Sequence, residues 1–388
     1  MQPLSISIQT RLNLTNSPPL IAFCADLQAR ESAYRTIKEL KGDDLYALAQ
    51  VVAYCNYYNV PLILGGDQVD APTISDEHAV FMRVELARLN RRKSCTYIDG
   101  NHERGFKRLC LEGGAAAVAQ NLEGITLNVG PYTVAGFNWR TRRQWEELLA
   151  DTQLPQTDIL ILHGFASQVV PALGLPADEA PLCDLDLDWF DGQYKLVLLG
   201  DIHQEWDWTG PKGTRFMYSG SMWMHRLGEP EAKSFIVVNE DLTVQRMPLD
   251  CRPFMRRAAE SVKDLAEVQR WIGNSKHDLD SQRSVFMGTK LPRIHLTIPR
   301  EVTAEFSTAL EELKRNAFVF EKVDISHDRD LTEVKGSLSE QVNLSTALSK
   351  LLDITDPKEA DAMEFVKQAM EQGFDTAITN LKTKVGIS

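Results

Sequence analysis

Five short apolar runs in this chain each end on carboxylate, amide or imidazole side chains, most of them beside glycine. PLIAFCA (19–25) is followed by Asp26 and Gln28, and VPLILGG (60–66) by Asp67 and Asp70. SCTYIDG (94–100) leads into Asn101, His102 and Glu103, DILILHG (158–164) carries His163, and YKLVLLG (194–200) precedes Asp201 and His203. Apolar runs of this length read as buried strands. Between the first three lie stretches of helical period. Asp43 or Asp44 can cap a helix whose face carries Leu45, Leu48, Ala49, Val52 and Cys55, and residues 76–91 read as a second helix. Strands alternating with helices pair in parallel through right-handed crossovers. In such sheets ligands bind outside the carboxyl ends of the strands, where these polar groups stand.

Further strands are predicted at ITLNV and YTVAGF within 125–137, at TRFMYSG (214–220) and at SFIVVN (234–239). They complete a sheet-rich α/β domain over 1–250, preceded by a polar stretch whose alternation of Leu4, Ile6 and Ile8 suits an edge strand. Residues 251–290 are more polar and helical in tendency, and 293–298, 302–316 and 318–325 read as a small β-α-β unit, giving a second region at 251–326. After a polar linker, 338–388 holds two amphipathic helices. One carries Leu344, Ala347, Leu348, Leu351 and Leu352; the other opens on Asp356 and Pro357 and carries Met363, Val366, Met370 and Phe374. Such helices either pack on their own domain or dock in a groove of another chain.

Oxygen and imidazole donors without a thiolate suit hard or borderline divalent metals. Two ions sharing a carboxylate generate hydroxide at neutral pH and neutralise a phosphate during in-line displacement. Singly, each group has a plainer use: an Asp after a strand caps a helix, a strand-end His is structural, and GNHE is a turn. Their joint occurrence in fixed order at strand ends favours the metal site. His78, His277, His295 and His327 lack such company and read as surface or structural, while His225 stays open. The net charge of −12 excludes passive coating of nucleic acid, so bound cations or a local basic patch would have to attract a phosphodiester. Arg104 and Lys107, just after GNHE, are candidates for that contact. The six cysteines form no CxxC pair, which fits free thiols in a reducing cytoplasm. No window approaches the roughly 20 apolar residues of a membrane span, and the N-terminal segment has neither basic leader nor long apolar run.

The order D-x-Q (26–28), G-D-x-x-D (66–70), G-N-H-E (100–103), His163 and G-D-x-H (200–203) resembles the calcineurin-like metallophosphoesterases, whose usual signatures are D-x-H, G-D, G-N-H-D/E, H and G-H-x-H. Tyr218-Ser219-Gly220-Ser221, Gly228-Glu229 and Lys233-Ser234-Phe235 are in turn similar to the Y-P-G-S…G-E…K-G-F stretch of SbcD-type DNA nucleases. The resemblance implies a layered β-sandwich flanked by helices, a small α+β capping domain and a C-terminal helical pair. It implies two divalent cations, manganese before magnesium. One would be held by Asp26, Gln28, Asp67 and His203, the other by Asp67, Asn101, His163 and Asp201. His102 would act as acid toward the leaving oxygen, and Ser221 would join Arg104 and Lys107 at the substrate. Its implied partners are DNA and an SbcC-type coiled-coil ABC ATPase bound through the C-terminal helices, with the chain a homodimer inside a heterotetramer in a bacterial or phage-infected cytoplasm. A stand-alone phosphoesterase for nucleotides or phosphoproteins, or a weakened scaffold for the ATPase, are the alternatives.

Two positions depart from the pattern: Gln28 and Asp201 stand where the family has histidine. Asp201 joins Asp26 and Asp67 to make three ligand carboxylates instead of two, so the core charge falls from about +2 to about +1. Weaker acidification of bound water and a preference for manganese or magnesium over zinc follow. The family's arginine in the loop after G-S falls on Met224 and its aromatic on Leu227.

Overall fold

The computed structural model describes residues 17–30, 42–70, 76–89, 95–103, 118–174, 183–225, 229, 232–281, 291–299 and 303–324. The expected edge strand at Leu4–Ile8, the basic pair Arg104 and Lys107, and the C-terminal helices lie outside these residues.

The chain runs β1 (Pro19–Cys24), α1 (Asp43–Tyr58), β2 (Leu62–Gly65), α2 (Asp76–Ala87), β3 (Cys95–Ile98) and β4 (Gln120–Asn121). It continues through β5 (Leu127–Val129), β6 (Tyr132–Gly136), α3 (Arg142–Asp151), β7 (Ile159–His163), β8 (Leu196–Gly200), β9 (Trp206–Thr209) and β10 (Arg215–Tyr218), then returns as β11 (Lys233–Asn239) and β12 (Val244–Leu249). Two six-stranded sheets result, ordered β12-β11-β1-β2-β3-β4 and β5-β6-β7-β8-β10-β9. Their centres are parallel, as the strand-helix alternation predicts. Antiparallel pairing enters at the margins, where β11 pairs β1 and β12 pairs β11, and β5 and β9 close the other sheet.

Side chains alternate between two destinations, as the period of a strand requires. Ile21 and Phe23 of β1, Ile159 and Ile161 of β7, and Leu196 and Leu198 of β8 share one core between the sheets. Ala22 and Cys24 turn outward beneath α1 and α2, while Leu160, Leu162, Val197 and Leu199 pack with Trp145 of α3. Burying each large aliphatic side chain is worth roughly 1.5–3 kcal/mol, so this parity fixes the register of every strand. It also aims the strand ends. His163 has the parity of Ile159 and Ile161, and its ring therefore points toward the opposite sheet.

Asp43 and Asp44 do not cap α1. Gly42 occupies that place with φ 83°, and both aspartates lie in the first turn. Asp43 instead holds Arg252 in a buried ion pair, and Asp44 accepts the backbone N–H of Arg30 at 3.0 Å. A tertiary partner won over the local cap.

Beyond β12, β13 (Phe254–Ala258), β14 (Arg293–Pro299) and β15 (Phe318–Asp324) form a three-stranded sheet, with α4 (Val262–Ser281) and α5 (Thr303–Asn316) between them in sequence. The stretch read as helical from residue 251 thus opens on a strand. Leu265, Val268 and Ile272 of α4 and Phe306, Leu310 and Leu313 of α5 are buried at helical spacing. The chain divides into two compact units, 1–296 with 306–321, and 297–305 with 322–388.

Candidate metal centre

The carboxyl ends of β1, β2, β7 and β8 meet where the two sheets face one another. His163 Nδ1 lies 2.8 Å from the carbonyl of Gly65, and the N–H of Asp201 donates to both carboxylate oxygens of Asp26 at 3.0 Å. Asp26, Asp67 and His163, all buried, bring one ligand atom each within 4.8 Å of one another. Asp67 is the centre of the group. Its Oδ1 lies 3.3 Å from His163 Nε2 and accepts the backbone N–H of His102 at 3.0 Å. Its Oδ2 accepts from Gln28 Nε2 at 3.3 Å and lies 3.7 Å from His102 Nε2. Asp201 Oδ1 stands 3.7 Å from His163 Nε2.

Backbone conformation at these positions is unusual. Asp26 (φ 53°), Gln28 (φ 40°), Asp67 (φ 53°) and Asp201 (φ 102°) all have positive φ, a region L-residues other than glycine seldom enter. Strain of this kind persists only where the surroundings over-determine it, and it clusters at functional sites. Glycine supplies the remaining room. A Cβ on Gly66 would stand 2.3 Å from His163 Nδ1, and one on Gly100 would stand 2.1 Å from Asp67 Oδ1.

The residues fit a bound cation on two grounds. Among the described residues, His163 Nε2 and Asn101 Oδ1 are buried without a hydrogen-bond partner, and a buried polar atom left so costs free energy unless something else satisfies it. The carboxylates are also crowded. Burial raises the Asp26 carboxyl to about 7 against the opposing pull of His163 and His203. Burial likewise raises Asp201 to about 6. Asp67 departs in the other direction. Burial opposes its charge, yet the nearby imidazole of His163 and, after it, His102 hold it at about 2. His163 is itself driven well above its usual value, because Asp67, Asp26 and Asp201 outweigh its burial. Divalent cations would replace these shared protons as the counter-charge.

His203 belongs to the same rim but faces a different environment. Its Nδ1 lies 2.7 Å from Glu229 Oε1, and its ring lies 4.8 Å from that of His225. His225 is the histidine whose place the sequence left open. It is buried against Trp223 at 4.3 Å, with Nε2 3.1 Å from the carbonyl of Asp26. Burial, with His203 beside it, holds it well below the usual value and therefore neutral. Ser221, expected at the substrate, is 1% exposed. Its hydroxyl contacts the carbonyl of Trp223, Glu229 and the ammonium of Lys233.

His102 is the half-open member, with its side chain 34% exposed. Its Nδ1 lies 2.7 Å from the carbonyl of Asp70, whose Oδ1 is 3.9 Å away, and Asp70 pairs with Arg30 at 3.2 Å. Arg30 lies over Trp223 at 5.0 Å and donates to the carbonyl of His225. Arg30 carries no periodicity and matches no motif, so nothing in the sequence marks it. Glu103, by contrast, sits inside GNHE. Its carboxylate accepts the N–H groups of Gly100, Asp67 and Val69 at 2.6, 3.0 and 3.1 Å, and burial, with Asp67 adding, raises it to about 8. It holds the two turns together and is not aimed at the ligand cluster.

Residues 19–205 match the model of the calcineurin-like phosphoesterase family. No curated relative matches the chain. Among solved structures it is similar to a dimetal phosphatase from Danio rerio, at 11% identity over 61% of this chain and 100% of that one, with a TM-score of 0.40. It is also similar to the phosphopantetheinyl hydrolase of Mycobacterium tuberculosis, at 14% identity over 54% of this chain and 92% of that one, with a TM-score of 0.35. Among the described residues no helix is long and apolar enough to cross a membrane.

Proposed function

We propose that this chain is a two-metal phosphodiesterase acting on DNA ends or single strands, the nuclease subunit of an ATPase-coupled end-processing complex. The observation that carries it is the buried convergence of Asp26, Asp67 and His163 with His102 beside them on the open side. On this reading Asp26, Gln28, Asp67 and His203 hold one cation, Asp67, Asn101, His163 and Asp201 the other, and manganese is preferred. The bound ions would supply charge neutralisation for the phosphate and hydroxide at neutral pH.

The chain's own residues do the rest. Asp67 offers one carboxylate oxygen toward His163 and the other toward Gln28, which suits a bridging ligand. Glu103 keeps the Asp67 backbone in its strained conformation through the N–H groups on both turns. The carbonyl of Asp70 accepts the Nδ1–H of His102, so Nε2 is the atom free to carry a proton to the leaving oxygen. The Asp70 carboxylate stands 3.9 Å from His102 Nδ1, and Arg30 pairs with Asp70 at 3.2 Å. Gln28 donates to Asp67 through its amide nitrogen, and as a ligand it would turn its oxygen to the ion instead.

A DNA substrate is supported by the SbcD-like stretch at 218–235 and by the extra chain beyond residue 250, which a phosphomonoesterase for small substrates does not need. Self-pairing is supported by the exposed apolar side chains Val80, Phe81 and Val84 of α2. The test compares manganese-dependent hydrolysis of linear and single-stranded DNA with that of nucleotides and p-nitrophenyl phosphate, with and without the coiled-coil ATPase and ATP. DNA cleavage that His102→Ala abolishes supports the reading. Hydrolysis of the small phosphates alone would replace it with a stand-alone phosphoesterase, and inactivity with metal still bound would leave a scaffold. Removing residues 338–388 should abolish ATP-stimulated cleavage and co-purification with the ATPase while sparing the metal-dependent cut.

A further inference from the structure

The stretch from Tyr218 to Phe235 carries the nuclease likeness of the sequence, yet none of its described residues takes part in the Asp26, Asp67 and His163 cluster. Three of them meet elsewhere. Ser221, Glu229 and Lys233 come together behind His203, out of solvent. Lys233 Nζ lies 2.9 Å from Glu229 Oε2 and 2.6 Å from Ser221 Oγ, and Ser221 Oγ is 3.2 Å from the same carboxylate oxygen. The backbone N–H of His225 donates to that oxygen as well, at 3.0 Å. Among the described residues, Glu229 Oε1 is thereby left to His203 Nδ1 at 2.7 Å.

A buried ion pair is a weak source of stability, because each ion loses several kcal/mol of hydration that the pairing only returns. Lys233 is 4% exposed and Glu229 lies in the same pocket, so an apolar pair of similar volume would stabilise the fold as well. What an apolar pair would lose is direction. With Oε2 occupied by an ammonium, a hydroxyl and a backbone N–H, the carboxylate cannot rotate, and Oε1 must accept the Nδ1–H of His203. That hydrogen bond leaves the lone pair on Nε2, the nitrogen on the far side of the ring from Glu229. Hydrogen bonding of one ring nitrogen to a carboxylate is the usual way a metal-binding histidine is held in its ligand tautomer. His225 sets the ring plane by lying 4.8 Å from it.

We propose that Glu229, clamped by Lys233 and Ser221, is a positioning residue that fixes the tautomer and ring orientation of His203 so that Nε2 keeps its lone pair for a divalent cation. The inference rests on the reading of His203 as a ligand of the metal centre, and gives this motif a task in metal loading in place of substrate contact.

Glu229→Gln tests it by inversion. The three donors at Oε2 demand an oxygen there, so the amide nitrogen of the variant must face His203 Nδ1. The imidazole then accepts at Nδ1 and carries its proton on Nε2, where it blocks the ion. Nitrogen-15 spectra of the metal-free full chain, taken where His203 is neutral, should show the Nδ1–H tautomer in the natural protein and the Nε2–H tautomer in the variant. Titration of the same samples with manganese chloride should show affinity falling about 10–100-fold. A purely structural Glu229 would lower thermal stability without inverting the tautomer. If Glu229→Gln does not fold beside an uncompensated ammonium, the double variant Glu229→Gln, Lys233→Met keeps the hydroxyl and the backbone N–H at Oε2 and makes the same prediction. An unchanged tautomer with unchanged manganese affinity, in whichever variant folds, overturns the inference. Neither readout uses DNA. If both move while the natural protein cuts no DNA, the positioning role stands and the nuclease reading falls. Cleavage by the natural protein and by Glu229→Gln at the same manganese requirement gives the reverse.

Discussion

The two flanks of Asp26 are built on opposite plans. Toward His163, the buried carboxylates of Asp26 and Asp67, the half-buried one of Asp201 and an imidazole crowd together, and among the described residues His163 Nε2 and Asn101 Oδ1 find no hydrogen-bond partner. Toward His203, the polar atoms of Ser221, Glu229 and Lys233 are bound to one another in a closed set. One flank is stable only with something added; the other is complete within the chain and orients a single ligand. A metal centre needs both kinds of surroundings, an electrostatic demand that only a cation meets and a scaffold that does not rearrange when it arrives.

The largest effect should come from breaking the shared centre. Asp67→Asn removes the one carboxylate that reaches both sides, and loss of metal-assisted stabilisation worth several kcal/mol should lower kcat/KM by about 10³-fold or more. Calorimetric titration should show the manganese heat disappearing with it. Replacing the acid comes next. His102→Asn should lower kcat by about 10²–10⁴-fold while manganese affinity holds, and Asp70→Asn should give a smaller loss in the same sense. Stopped-flow rates read beside metal titrations will separate this pair from Asp67.

A pH series tests the crowded flank without mutation. Asp26 at about 7 and Asp201 at about 6 are both raised above their unfolded values, so the folded metal-free chain holds protons that the unfolded chain releases. The stability they contribute is full below about pH 4 and is lost as pH rises through 6 and 7. His163, also raised, acts in the same direction. Asp67 and Glu229, held at about 2, act below this window and with opposite sign. The Tm of the metal-free protein should therefore fall between pH 5 and pH 8, and the gain in Tm on adding manganese should grow over the same range. A gain independent of pH would mean that the carboxylates are not the groups the metal meets. The smallest change is expected from restoring nitrogen ligands. Gln28→His with Asp201→His should raise kcat/KM at neutral pH a few-fold and move preference toward zinc, measured by rate against each metal in turn.

Much of this architecture was legible from the chain alone. The parallel centres of both sheets follow from apolar runs alternating with helical periods, and the rim follows from what stands at the ends of those runs. Elements with mixed or short patterns were not visible. β4 spans only Gln120–Asn121, and β9 alternates as Trp-Asp-Trp-Thr at a sheet edge. α3 does carry a local mark, the capping box of Thr141 and Gln144, a signal three residues apart. The burial of Ser221 had no local mark, since a serine beside glycine looks the same inside a protein or out.

The sequence by itself determined the strand parity, the order of donors and the absence of a thiolate among them, because these depend on residue type and on a period of two along one strand. The tertiary structure alone decided which sheet each strand joined and, with that, which donors meet. Asp26 and Asp201 are 175 positions apart in the chain yet joined by one hydrogen bond, and Arg30 reaches Asp70 and Trp223 only because their strands end side by side. Contacts between distant segments come from packing two faces together, and no local pattern encodes the partner's position.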